Sequence, residues 1–175
     1  SGLRILDVSD PGAPVEIGAL DTPGYPHDVE VVGTLAYVAD WTFGLRIIDV
    51  SNPEAPVEIG ALDTHGWARN VEIVGTLAYV ANGCSGLRII DISNPEAPVE
   101  IGAVVTPSSE IGCYTGGAWD VELVGTLAYV ADWDSGLRII DLGPEYADAD
   151  GDGVLGFREQ LGPNGGDGNG DGTWD

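Results

Sequence analysis

The eight residues Gly44-Leu45-Arg46-Ile47-Ile48-Asp49-Val50-Ser51 decide the fold, because the chain writes them four times. They come first as Gly2-Leu3-Arg4-Ile5-Leu6-Asp7-Val8-Ser9, return from Gly86 to Ser93, and end as Gly136-Leu137-Arg138-Ile139-Ile140-Asp141-Leu142. Successive copies are 42, 42 and 50 residues apart, and the 8 extra residues of the last interval lie around Pro107 to Gly116. Self-similarity at such a period marks a chain built by stacking one supersecondary unit.

Outward from that segment, one period reads as strands and turns. Leu45 to Val50 is a short run rich in β-branched residues, and Ser51-Asn52-Pro53-Glu54-Ala55-Pro56 supplies turn chemistry. Val57 to Leu62 is a second strand, which Asp63-Thr64-His65-Gly66 breaks. Val71 to Val74 and Leu77 to Val80 are two more, joined at Gly75-Thr76, where glycine permits the left-handed backbone of a tight hairpin. No window has helical periodicity. Four antiparallel strands in about 40 residues is the content of one β-propeller blade. A sandwich is the rival, but sandwiches do not usually repeat at one interval. Leu45, Ile47, Ile48 and Val50 put apolar groups on both faces of their strand, as stacked blades require. The expected fold is all-β: a partial propeller of about three repeats of four-stranded antiparallel blades. Residues 3–22 form the two outer strands of one blade, two complete blades follow, and a last blade of three strands ends with Leu137 to Leu142.

The LRIIDV core, with SNPEAPVEIGALDT after it and DVEVVGTLAYVAD before it, resembles the LVIVD repeat over residues 2–142. That repeat builds propellers and is common in secreted and surface proteins of bacteria and archaea. The resemblance implies a propeller and an extracellular or cell-surface setting. The family has no single shared chemistry, so activity is not implied.

Composition narrows the partners. Asp and Glu number 29 against 6 Lys plus Arg, all six of them Arg, for a formal net charge of −23. Nucleic acid and anionic membranes need a basic footprint, so neither is an expected partner. No apolar run approaches the ~20 residues of a membrane helix, and membrane insertion is not expected. The first and last residues fall inside patterns, so a longer protein is expected. An open arc exposes blade edges, and further repeats or self-association of copies would close it.

Beyond the repeats at 1–142 and a linker at 143–147, residues 148–175 change character. Asp148-Ala149-Asp150-Gly151-Asp152-Gly153-Val154-Leu155-Gly156-Phe157-Arg158-Glu159 fits D-x-[DN]-x-[DN]-G-x₅-E. Carboxylates of Asp148, Asp150 and Asp152 converge, Gly153 permits the sharp turn, the Val154 carbonyl points inward and Glu159 closes the site. So many hard oxygen ligands suit Ca²⁺ as the bound ion, better than Zn²⁺ or Mg²⁺. A second loop starts 19 residues on, with Asp167, Asn169, Asp171, Gly172, Thr173 and Asp175. Gly143-Pro144 and Gly162-Pro163 exclude flanking EF-hand helices. The segment resembles thrombospondin type 3 calcium-binding repeats, which implies Asp148, Asp150, Asp152, Glu159, Asp167, Asn169, Asp171 and Asp175 as side-chain ligands. It departs from them at Gly156, where that pattern usually has Asp. A dockerin-like assembly module needs apolar helices after each loop, and only Leu161 is available.

Four other features bear on chemistry. Cys84 and Cys113 fall on loops of one propeller face, where a disulfide would pin the insertion. His27, Arg69 and Trp119 stand at equivalent positions before the innermost strands, followed by Asp28, Asn70 and Asp120. Trp41, Trp67, Tyr114 and Trp133 share that loop face, making His27, Arg69, Trp119 and Asp120 candidates for binding a protein or glycan ligand. Arg4, Arg46, Arg88 and Arg138 recur with Asp7, Asp49, Asp91 and Asp141 three residues on, which points to an inter-blade ion pair or a bond to a loop carbonyl. No nucleophile–base grouping or phosphate-binding glycine motif is present, so no catalytic residue is expected. The expectation is a non-catalytic binding or scaffold module. The alternatives are a polysaccharide lyase or hydrolase with its site on the loop face, or a dockerin-like module.

Overall fold

In the computed structural model, which describes residues 1–106, 116–133 and 135–143, every copy of the repeated segment is a strand. The first sheet pairs β1 (Gly2–Asp7) with β2 (Val15–Asp21). The second runs β3 (Asp28–Val32), β4 (Leu35–Ala39), β5 (Leu45–Asp49), β6 (Val57–Leu62). The third runs β7 (Asn70–Val74), β8 (Leu77–Ala81), β9 (Leu87–Asp91), β10 (Val99–Val104). The fourth runs β11 (Ala118–Val124), β12 (Leu127–Asp132), β13 (Gly136–Asp141). Each strand pairs antiparallel with its sequence neighbour, and no helix occurs among the described residues. The expected two outer strands, two complete blades and one three-stranded blade are all present.

The period of two along each strand distributes apolar side chains between neighbours. On β8, Leu77, Tyr79 and Ala81 pack with Val121, Ala128 and Val130 of the fourth sheet. Ala78 and Val80, on the opposite face, pack with Tyr37, Leu45 and Ile47 of the second. Ala36, Val38 and Ile48 face back toward Leu3 and Leu20 of the first. Both faces of an inner sheet are therefore buried, which is why its strands read as continuous apolar runs rather than alternating ones.

The motif Glu-Ile-Gly of the outer strand has a local reason. Ile17, Ile59 and Ile101 each have no partner across the ladder, so the outer strand carries one extra residue and bulges. At Gly60, which follows the bulge, a Cβ would collide with the Pro95 carbonyl of the next repeat's Asn-Pro-Glu turn. Only glycine lets that turn seat against the neighbouring sheet.

The recurring arginines do not reach across blades. Arg46 Nη1 donates to Glu58 Oε1 at 3.3 Å and Arg88 Nη1 to Glu100 Oε1 at 2.9 Å, both within one sheet. Arg4 lies 3.6 Å from Glu16 in the same way. Arg138 Nε donates to Asp132 Oδ2 at 3.0 Å instead. The paired aspartates serve turns: Asp7, Asp49 and Asp91 accept from the amides of Ser9, Ser51 and Ser93. That amide bond holds the carboxyls of Asp7 and Asp49 below their ordinary range. The expected inter-blade pair is thus replaced by an in-sheet arginine–glutamate pair and an Asx turn.

Candidate functional site

The loops that enter the innermost strands and those that join the second and third strands lie at one end of the sheets. Backbone pairing between sheets fixes them. Trp41 N and O bond to Ala68 O and N at 3.1 and 2.9 Å, and Gly83 repeats this with Ala118 at 3.0 and 2.9 Å. Trp41 has φ 51° and Gly83 φ 57° at the same position of their repeats. This left-handed backbone suits glycine and strains tryptophan.

The pairing lines up rings across three sheets. Tyr25 and His27 stand edge-on to Trp41, with ring centres at 5.4 and 5.9 Å. Trp41 stands edge-on to Trp67 at 5.8 Å. The Arg69 guanidinium lies between Trp67 and Trp119, 5.5 and 3.7 Å from their ring centres. Trp119 then meets Trp133 at 4.8 Å. Trp119 is the bulged residue of β11, set between Ala118 and Asp120 without a ladder partner, which turns its side chain toward this end. A cleft of about 280 Å³ beside it is lined by Trp119, Ala131, Asp132, Trp133, Gly136 and Leu137.

Trp41 Nε1, Arg69 Nε and Trp119 Nε1 are buried without a hydrogen-bond partner among the described residues. Arg4, Arg46, Arg88 and Arg138 each have a carboxylate within 4.0 Å, whereas Arg69 has none among the described residues. Burial lowers the Arg69 pKa from its ordinary value. Burial also lowers that of His27, with the Arg69 charge adding to it and Asp40 opposing, so His27 is neutral at pH 7.

The structure thus brings His27, Arg69 and Trp119 into one row with Trp41, Trp67 and Trp133. Asp120 belongs elsewhere. It lies near Glu72, on the inner strands, in a set with Asp28, Glu30 and Glu122. There Asp28 Oδ2 accepts from Asn70 Nδ2 at 2.9 Å and from Val71 N at 3.0 Å, and Asn70 Oδ1 accepts from Val121 N at 3.1 Å. Burial and the neighbouring carboxylates of Glu30, Glu122, Asp28 and Asp120 raise the Glu72 carboxyl to about 7. Glu30 is raised as well, chiefly by burial. The spacing that would have revealed this set is in the sequence: Asp28/Glu30, Asn70/Glu72 and Asp120/Glu122 repeat with the period.

Among the described residues no group of three or more His, Cys, Asp or Glu could hold a metal ion. The proposed calcium ligands Asp148, Asp150, Asp152, Val154, Glu159, Asp167, Asn169, Asp171, Thr173 and Asp175 lie outside the described residues. So do Tyr114 and Cys113, while Cys84 is half-buried on the loop between β8 and β9. No helix among the described residues is long and apolar enough to cross a membrane.

Repeated four-stranded antiparallel sheets stacked face to face, with rings and charges gathered at one end, define a propeller-type repeat protein. The model of the LVIVD repeat matches residues 1–22, 23–64, 65–106 and 115–143, and the chain belongs to that family. Two solved structures share the fold. The computationally designed Ika4 protein superposes with a TM-score of 0.55 at 5% identity, covering 73% of each chain. The designed Ika8 protein gives 0.54 at 5% identity, over 73% of this chain and 37% of its own. No curated protein matches this sequence.

Proposed function

We propose that the chain is a non-catalytic, extracellular or cell-surface binding module whose ligand, a glycan or a protein, seats along the aromatic row. The observation that carries this reading is the row itself, Tyr25–Trp41–Trp67–Arg69–Trp119–Trp133, which combines aromatic rings with a guanidinium that has no carboxylate within 4.0 Å among the described residues. Aromatic faces stack on sugar or peptide groups, and donors fix orientation. A glycan and peptide array probed with the native chain and with Trp41→Ala tests it: the native chain retains a ligand class that the variant loses. Equal signals from both chains refute the reading.

The tail is proposed to bind Ca²⁺ through its two DxDxDG-type loops and to stiffen when loaded, with a dissociation constant of ~10⁻⁴ to 10⁻³ M, the range of extracellular modules. A Cys84–Cys113 disulfide pinning the 8-residue insertion belongs to the same extracellular reading. Closure of the ring by further repeats or by a second copy is proposed on the open edge of β13, where Leu137 and Ile139 are exposed.

A second reading, an enzyme acting on polysaccharide, draws on Glu72. A carboxyl raised to about pKa 7 among neighbouring carboxyl groups has the protonation a general acid needs. Release of reducing ends or unsaturated products from polysaccharides, lost in Glu72→Gln, supports it. No turnover by the native chain excludes it for the substrates tried.

A further inference from the structure

We propose that Arg69 is the carboxylate-recognising residue of this face, and that the ligand is an acidic saccharide whose rings stack on the flanking aromatic side chains. This deepens the binding reading above and rests on it.

The first ground is charge. In a chain with 29 acidic residues, an arginine packed at the surface finds a carboxylate readily, and Arg4, Arg46, Arg88 and Arg138 have done so. Arg69 has no carboxylate within 4.0 Å among the described residues, although its guanidinium lies 3.7 Å from the Trp119 ring centre and 5.5 Å from that of Trp67. A guanidinium fixed between two indoles has already lost its rotamer freedom, so its planar fork is preorganised for a bidentate anion.

The second ground is strain. The αL backbone of Trp41 is filled by glycine at Gly83 in the next repeat. A bulky residue in that conformation costs about 1–3 kcal/mol, and such outliers cluster at functional sites. The buried Trp41 indole N–H lacks an acceptor among the described residues too. Both costs fall on the ring at the centre of the row.

Donor chemistry selects the ligand. A guanidinium with no carboxylate within 4.0 Å among the described residues favours an anionic partner and rejects a metal cation or an ammonium. One arginine without a carboxylate among the described residues, within a net charge of −23, is too little for nucleic acid. Exposed rings at the two ends, Tyr25 at 63% and Trp133 at 62% exposure, are platforms for pyranose faces on either side of the charge. An acidic peptide shares the carboxylate but leaves those platforms without partners.

The test is isothermal titration of the 175-residue chain, with EDTA present so that calcium bridging cannot mimic recognition. The probes are tetragalacturonate, its neutral methyl ester and hexaglutamate. The expected result is that tetragalacturonate binds at least about tenfold more tightly than the ester, that Arg69→Gln abolishes this preference, and that Arg69→Lys restores only part of it. A preference that survives in Arg69→Gln overturns the assignment to Arg69. Equal binding of ester and acid, still lost in Trp41→Ala, keeps the binding face and overturns the acidic ligand. Hexaglutamate binding as tightly as tetragalacturonate overturns the saccharide class. Binding of none of the three probes overturns the proposal, while the array separately decides the binding face.

Discussion

Glu30 Oε2 accepts a hydrogen bond from the Ile73 amide at 2.6 Å, so a carboxylate on the innermost strand of one sheet caps the backbone of the next. Asp28 does the same for Val71 and Asn70 for Val121. Inter-sheet cohesion at the inner strands is thus partly polar, and the crowding of carboxylates has a pH signature.

Glu72 supplies the first prediction. Its carboxyl is raised from 4.5 to about 7 by burial and by Glu30, Glu122, Asp28 and Asp120. A raised carboxyl makes the folded state bind the proton more tightly, so the contribution of Glu72 to stability is greatest below about pH 4.5 and is lost as pH rises to about 7. Glu72→Gln removes that dependence. Thermal melts are expected to show the variant gaining on the native chain between those two pH values, with a constant gap above. An unchanged gap from pH 4 to pH 8 contradicts the assignment.

A polar latch supplies the second. Thr64 Oγ1 donates to Asn82 Oδ1 at 2.8 Å, and Thr22 Oγ1 to Asp40 Oδ1 at 2.9 Å, in each case joining one sheet to the next. The third copy is open: Thr106 Oγ1 and Asp132 Oδ1 are both buried without partners among the described residues. Thr64→Val strips an acceptor of its donor and is expected to cost about 1–3 kcal/mol. Thr106→Val loses no bond and is expected to be neutral or stabilising. Urea titration of the two isosteric variants checks the contrast, and equal losses would refute it.

Packing supplies the third. Ile48 is fully buried between the first and second sheets, whereas Val31 is 58% exposed. Ile48→Ala is expected to cost about 2–5 kcal/mol, and Val31→Ala to stay within about 0.5 kcal/mol. Denaturant midpoints decide this. Similar small losses at both sites would mean that the sheets are not stacked on both faces.

Trp41 supplies the fourth. Trp41→Gly relieves αL strain of about 1–3 kcal/mol and loses ring contacts worth about 0.5–1.5 kcal/mol each. The two effects offset, so the melting midpoint is expected to change little while tetragalacturonate binding disappears. A large drop in midpoint would make Trp41 a structural residue.

The strands, their order and the blade count were legible because the strand core recurs intact and is apolar on both faces. The ring row was legible as equivalent loop positions, since His27, Arg69 and Trp119 share a place in the repeat. Recurrence does not reveal direction, however. Arg46 recurs with Asp49 three residues on and equally with Glu58 twelve residues on, and only the ladder geometry of β5 and β6 selects Glu58. The inner carboxylate set was hidden by abundance, because acids are too frequent for any pair to stand out until Glu30 and Glu72 are placed on neighbouring inner strands. The αL backbone at Trp41 is foreshadowed only by the glycine at Gly83.

The tail supplies the fifth. Isothermal titration is expected to detect Ca²⁺ binding that Asp150→Ala combined with Asp152→Ala weakens severely, since those residues occupy positions 3 and 5 of the first loop. Identical isotherms would remove calcium from the account.

Hydrogen exchange of the native chain with and without saturating tetragalacturonate, in EDTA, tests the central claim most directly. Added protection is predicted at the amides of Tyr25 and His27 and of residues 41–43, 67–69 and 117–119, along the aromatic row. Protection confined to the opposite turns, at residues 52–55 and 94–97, or no change at all, would contradict it.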